Sequence, residues 1–113
     1  MATDIAREFG QAGATVIACP RATGDHQRWQ IASQMAAISA GAFVLTSNRS
    51  GQGQDGKLQF GGRGMIVDPD GTILAQTTGE RPFATANIDL ETAASAKTTY
   101  PRYLAYSNSR PTE

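Results

Sequence analysis

Two short apolar runs constrain this chain more than any other feature. Residues 14–19 (Ala-Thr-Val-Ile-Ala-Cys) and 42–46 (Ala-Phe-Val-Leu-Thr) each follow a stretch with helical spacing that ends at a glycine, Gly13 or Gly41. Glycine accepts the left-handed backbone that closes a helix. Strands that are apolar on both faces belong to a sheet covered on both sides. The order helix, strand, helix, strand predicts an α/β fold, with a mixed sheet and two helices on one face. The second apolar face then needs a cover that the chain has little left to supply. Either a copy of the chain covers it, or a further part of a larger protein does.

Thr3 and Asp4 suit the start of the first helix. Ile5, Phe9 and Ala12 recur at i, i+4 and i+7 as one apolar stripe. Asp25 suits the cap of a second helix, expected from residue 26 to about residue 40. Ile31, Met35 and Ile38 form its apolar stripe, beside a flat stripe of Ala32, Ala36 and Ala40. That flat stripe fits a helix contact across a dimer or packing within the chain. Pro20 is expected to stop the first strand.

Residues 47–64 are polar and rich in glycine, a loop long enough to be functional. Residues 65–67 and 72–75 flank Asp68-Pro69-Asp70-Gly71, with proline second and glycine fourth, which predicts a β-hairpin. Residues 82–89 read as a further strand and residues 90 or 91 to 97 as a short helix. Residues 100–113 read as an irregular tail.

The 113 residues make room for one domain. Ten basic residues balance ten acidic ones, so no field of one sign attracts nucleic acid or an anionic membrane. No apolar run approaches the roughly 20 residues that span a bilayer, and the N-terminus lacks the pattern of a signal peptide. A cytoplasmic protein is expected. The single Cys19 has no internal disulfide partner. No H-x-x-x-H or C-x-x-C spacing suggests a metal, and no phosphate loop is present, so no cofactor is expected. Gly51, Gly53 and Gly56 have the G-x-G-x-x-G spacing, but a strand follows rather than a helix. A loop shaping a small-molecule pocket fits them better.

The titratable inventory is thin: His26, Cys19, Lys57, Lys97 and four glutamates. A Cys19–His26 nucleophilic pair is formally possible. Cys19, however, ends a buried strand, where a free cysteine is usually a small hydrophobe. His26 lies in the first turn of a helix and reads as a surface residue.

The order of several short motifs carries a resemblance. Ala6-Arg7, Gly13-Ala14, Val16-Ile17, Pro20, Trp29, Ser47-Asn48-Arg49, Phe60-Gly61-Gly62, Ile66-Val67-Asp68-Pro69-Asp70-Gly71, Ile73-Leu74-Ala75, Ile88-Asp89-Leu90 and Tyr100-Pro101-Arg102 occur in sequence. The chain, from about residue 5 to residue 103, resembles the C-terminal part of the nitrilase superfamily of carbon–nitrogen hydrolases. Pro20-Arg21-Ala22-Thr23 and Ser47-Asn48-Arg49 resemble its amidase-like or carbamoylase-like members.

The resemblance implies an αββα sandwich of two similar halves, and a homodimer or higher homo-oligomer. It also implies hydrolysis of small amides, nitriles or carbamoyl compounds. A cysteine attacks the carbon, a glutamate acts as general base and a lysine stabilises the oxyanion, through a thioester. All three residues are expected upstream of this chain, the cysteine a few residues before Met1. No catalytic residue is therefore expected here, and Cys19 closes the following strand. Residues 1–103 are expected to be the C-terminal half of the hydrolase domain and residues 104–113 a tail.

Arg21, Ala22, Thr23, Trp29, Asn48, Arg49, Gly61 and Gly62 are the candidates for binding substrate. Arg21 suits a carboxylate clamp. Each also has a plain structural role open to it, as surface, turn, packing or loop support. Two rival readings stand beside this one. The chain is a catalytically inactive stand-alone domain that self-associates through an open sheet face, or a small enzyme using Cys19 and His26.

Overall fold

A computed structural model describes residues 3–24, 27–52, 59–99, 102 and 104. The readings on Asp25, His26, Lys57 and Tyr100 lie outside these residues. The elements run α1 (Thr3–Gln11), β1 (Val16–Arg21), α2 (Gln27–Ala40), β2 (Phe43–Asn48), β3 (Ser50–Gln52), β4 (Gln59–Gly61), β5 (Met65–Val67), β6 (Ile73–Gln76) and α3 (Leu90–Ala96).

The expected alternation of helix and strand is present. Gly13 (φ +99°) and Gly41 (φ +64°) close the two helices in the left-handed region. One sheet has the order β1-β2-β5-β6. The β1–β2 pair is parallel and the other two pairs are antiparallel, so the sheet is mixed. A parallel pair needs a long crossover, and α2 is that crossover. The β5–β6 hairpin turns at Asp68-Pro69-Asp70-Gly71, where Gly71 N donates to Asp68 O at 2.9 Å.

Register shows which face is sealed. Ile17, Val44 and Val67 lie side by side across three strands. They are buried with Met65 in the main core cluster. Ala6, Ala36, Ala37, Ala40 and Ala42 make up five of that cluster's nine buried residues. Small side chains let helix and sheet backbones approach closely. Gly10 carries this furthest: a Cβ there would collide with the backbone carbonyl of Ala40.

This packing turns the two expected apolar stripes outward except at Ile38, which is half-buried. Ile5 and Phe9 are exposed, and so are Met35 and Ile31, the last at 54%. The helices dock through their smallest residues, and the large apolar ones take the opposite side. Three other expectations are corrected. First, β1 continues through Pro20 to Arg21. It is an edge strand, where a missing N–H is tolerated. Second, residues 82–89 form no strand. They have no sheet partner among the described residues, and Phe83 is 90% exposed. Third, the loop at 47–64 contains a small antiparallel pair, β3 and β4.

Among the described residues, the other face of the sheet is largely uncovered. Val16 and Ala18 are exposed, and Leu45 and Ile66 are half-buried. Phe43, at the start of β2, is the buried exception.

Arg102 ties the ends of several elements together. Its guanidinium donates to Ala96 O at 3.0 Å, Ile38 O at 3.3 Å and Pro69 O at 3.4 Å. Lys97 Nζ donates to Gly41 O at 2.8 Å. Burial, and then the charge of Arg102, hold its amine below the ordinary lysine pKa. Among the described residues, no helix is long and apolar enough to cross a membrane.

Gly10→Ala is expected to cost about 1–3 kcal/mol, the usual penalty of forcing volume into packed space. The check is a lower midpoint in urea with an unchanged slope. Gly79→Ala is the control, because a Cβ at Gly79 meets nothing within 4 Å. It should change stability by less than about 0.5 kcal/mol.

Candidate functional site

The parallel strands β1 and β2 end side by side, with Arg21 opposite Asn48. The C-terminal edge of parallel strands is where α/β sheets hold ligands. A knot of hydrogen bonds fixes the chain there. Asn48 Oδ1 accepts from Thr23 N at 2.9 Å, and its Nδ2 donates to Thr23 O at 3.2 Å. Gly61 N also donates to Thr23 O, at 3.0 Å, and Gly62 N to Arg49 O at 2.9 Å. Arg49 N donates to Arg21 O at 3.2 Å. A carboxamide suits this role, since it offers donor and acceptor together.

Behind the knot lies a cavity of about 260 Å³, between the strand ends and α2. Cys19, Thr23, Trp29, Ser33, Val44 and Thr46 contribute to its walls, with Arg21. Strand alternation places Arg21 on the face of Ile17 and Cys19, toward the helices. Arg21 and Trp29 also line an adjoining depression of about 180 Å³, together with Asn48 and Arg63. The Arg28 guanidinium sits 5.5 Å from the centroid of the Trp29 ring.

Arg21 is held from one end. Its Nη2 donates to Arg63 O at 3.2 Å and to Thr46 Oγ1 at 3.4 Å. Its Nε and Nη1 are buried without a partner, as is Thr23 Oγ1. Burial pulls the Arg21 pKa below the ordinary arginine value, and the nearby Cys19 thiol opposes that shift. The guanidinium still stays charged at working pH.

The candidates thus separate into two groups. Arg21, Thr23 and Trp29 line the main cavity, and Asn48 lines the depression. Arg49, Gly61 and Gly62 enter the knot through their backbones, and Ala22 is exposed and lines neither space. Thr46 and Ser33 join the cavity lining although neither is a sequence candidate. Thr46 carried a signal, a hydroxyl at the end of an apolar run. It accepts from Met65 N at 3.1 Å as well as from Arg21. Among the described residues, no Asp, Glu, His or Lys lines the cavity beside Cys19. No group of three or more potential metal ligands occurs among them either. Such a site can hold a ligand, and among the described residues its lining offers Cys19 no base.

Sheet, helix layer and edge pocket define a mixed α/β layer with a cavity at its strand ends. The sequence profile described as carbon-nitrogen hydrolase matches residues 4–98, and the chain belongs to that family. It is 31% identical over 75 residues to 2-oxoglutaramate amidase of Paenarthrobacter nicotinovorans, covering 66% of this chain and 25% of that protein. It is 27% identical over 90 residues to deaminated glutathione amidase of Mus musculus, covering 77% of this chain and 28% of that protein. The chain therefore spans about a quarter of the length of these two relatives.

Among solved structures, a carbon-nitrogen hydrolase from Helicobacter pylori superposes with a TM-score of 0.77 at 19% identity, over 96% of this chain and 45% of that one. A nitrilase-superfamily member from Saccharomyces cerevisiae gives a TM-score of 0.70 at 19% identity, over 88% and 38%. These likenesses show the fold. The resemblance read from the short motifs is thus borne out at the level of family and fold.

Asn48→Ala removes both side-chain bonds to Thr23, and a cost of about 1–3 kcal/mol is expected. Amide hydrogen exchange at Thr23 should then be faster. Unchanged exchange there would mean that Asn48 does not hold the loop.

Proposed function

We propose that this chain supplies the C-terminal half of a hydrolase acting on non-peptide C–N bonds of small amides, nitriles or carbamoyl compounds. Family membership supports the hydrolysis of C–N bonds. The observation that carries the rest is the one-sided sheet. Its helix face is sealed by Ala36, Ala37 and Ala40, while Val16, Ala18, Leu45 and Ile66 lie on a face with no second layer among the described residues. In a two-half sandwich that face meets the sheet of the upstream half.

The glutamate, lysine and cysteine of the thioester mechanism lie in that half, on this reading, and the chain alone is inactive. Residues 1–103 form the C-terminal half of the domain and residues 104–113 its tail. Arg21, Thr23 and Trp29 contribute to the substrate pocket, while Ala22, Asn48, Arg49, Gly61 and Gly62 shape and brace the loop. A second copy of the chain covers the outward stripes of Ile5, Phe9, Ile31 and Met35, since exposed apolar groups of this size favour an interface. The free Cys19 fits a cytoplasmic setting.

The open sheet face also favours a second reading, an inactive stand-alone domain that self-associates through it. In that case the chain forms a discrete oligomer, and Ala18→Arg on the open face dissociates it in sedimentation.

The chain incubated with small aliphatic amides should release no ammonia, and Cys19→Ser should change nothing. Ammonia release by this chain that disappears in Cys19→Ser would overturn the proposal and restore Cys19 as a nucleophile.

A further inference from the structure

Three positive side chains converge where the helices end. Arg7 of α1, Lys97 just past α3 and Arg102 beyond it line a cavity of about 560 Å³, together with Gln11, Ser39 and Thr98. Among the described residues, no Asp or Glu lines it. Asp70 Oδ1 accepts from Arg102 Nη2 at 3.4 Å, but Asp70 lies outside the lining and its side chain is 79% exposed. The Arg102 side chain is only 6% exposed, so among the described residues its charge has no buried counter-charge.

Backbone carbonyls answer part of this charge. α1 ends at Gln11 and α2 at Ala40, and both residues line the cavity. Lys97 caps α3. A helix C-terminus carries roughly half a negative elementary charge, so the three ends offset at most about half of the three side-chain charges. Lys97 Nζ has three N–H groups. Two are answered, by Gly41 O at 2.8 Å and Ala93 O at 3.5 Å, and the third is left for a ligand. Arg7 lines the same space from α1, where its Nη2 donates to Leu104 O at 3.1 Å.

Charges that reach one space from α1 and from beyond α3 suit an anion with oxygens in several directions. A phosphate monoester has three such oxygens and a charge of about −1.5 to −2 at neutral pH. A carboxylate has two, in one plane. The cavity is many times the roughly 30 Å³ of a water in the liquid, so an organic group carried by the phosphate fits as well.

We propose that this cavity binds a phosphate group, free or carried by a small ester, with Lys97 and Arg7 as its donors and Arg102 adding charge. The site does not rest on the hydrolase reading, and its test does not involve ammonia release.

The full chain is titrated with inorganic phosphate and with phenyl phosphate at neutral pH and constant ionic strength, and the phosphorus NMR line width is followed. Saturable broadening is expected with both. Tighter binding of phenyl phosphate supports an ester as the ligand; equal or weaker binding supports free phosphate. Lys97→Gln should weaken binding about tenfold, the loss of one charge-assisted hydrogen bond. Arg7→Gln should do the same and serves if Lys97→Gln fails to fold by circular dichroism. Arg81 is exposed and outside the lining, so Arg81→Gln should change binding by less than about twofold.

No saturable broadening with either probe would overturn the proposal. So would unchanged affinity in whichever of the Lys97 and Arg7 variants folds, or an equal loss in Arg81→Gln, which would mean attraction by net charge alone.

Discussion

The close approach of two helices to one side of a sheet governs this structure. It works because Gly10 and a set of alanines leave almost nothing between the backbones. Apolar burial stabilises in proportion to area removed from water, and alanines offer little area each. The layer therefore gains from tight contact rather than from large side chains. Ile5, Phe9, Ile31 and Met35 have no place inside it and stand on the outer surface. Among the described residues, the second sheet face stays largely uncovered. Both apolar surfaces, outer stripe and inner sheet, follow from that one packing choice.

The edge site follows from it too. Holding α2 close brings Trp29, Ser33 and Ala36 over the ends of β1 and β2. Thr46 then serves two elements, accepting from Met65 N of β5 and from the Arg21 guanidinium. Asn48 fastens the Thr23 backbone from the next strand. The backbone N–H and C=O of Thr23 are both answered where the loop meets the cavity. Arg21 Nε and Nη1 are buried without such answers.

Much of the fold was legible in residue order. Gly13 and Gly41 marked helix ends, and the spacing of Pro69 and Gly71 marked the hairpin, where Gly71 takes φ +88°. What periodicity could not give was direction. It shows which residues share a face, and the assumption that the larger apolar face turns inward fails when small residues dock instead. Pro20 misled because its cost depends on whether the strand is at an edge, which no local pattern states. Residues 82–89 have strand composition, but a strand also needs a partner. In the site, Arg21, Thr23 and Trp29 were found because polar or aromatic groups near strand ends stand out. Arg49, Gly61 and Gly62 enter the knot through main-chain atoms, and Ala22 lines neither space, so side-chain identity could not place any of them.

A cysteine placed at Ala18 in a Cys19→Ser chain probes the exposed sheet surface directly. Its rate of reaction with a maleimide, in the folded chain at low concentration, should approach that of an unfolded peptide, and it should fall steeply once the chain is joined to an upstream half. Strong protection in the isolated folded monomer would mean that the sheet is already covered on both sides, and the account would be wrong at its base.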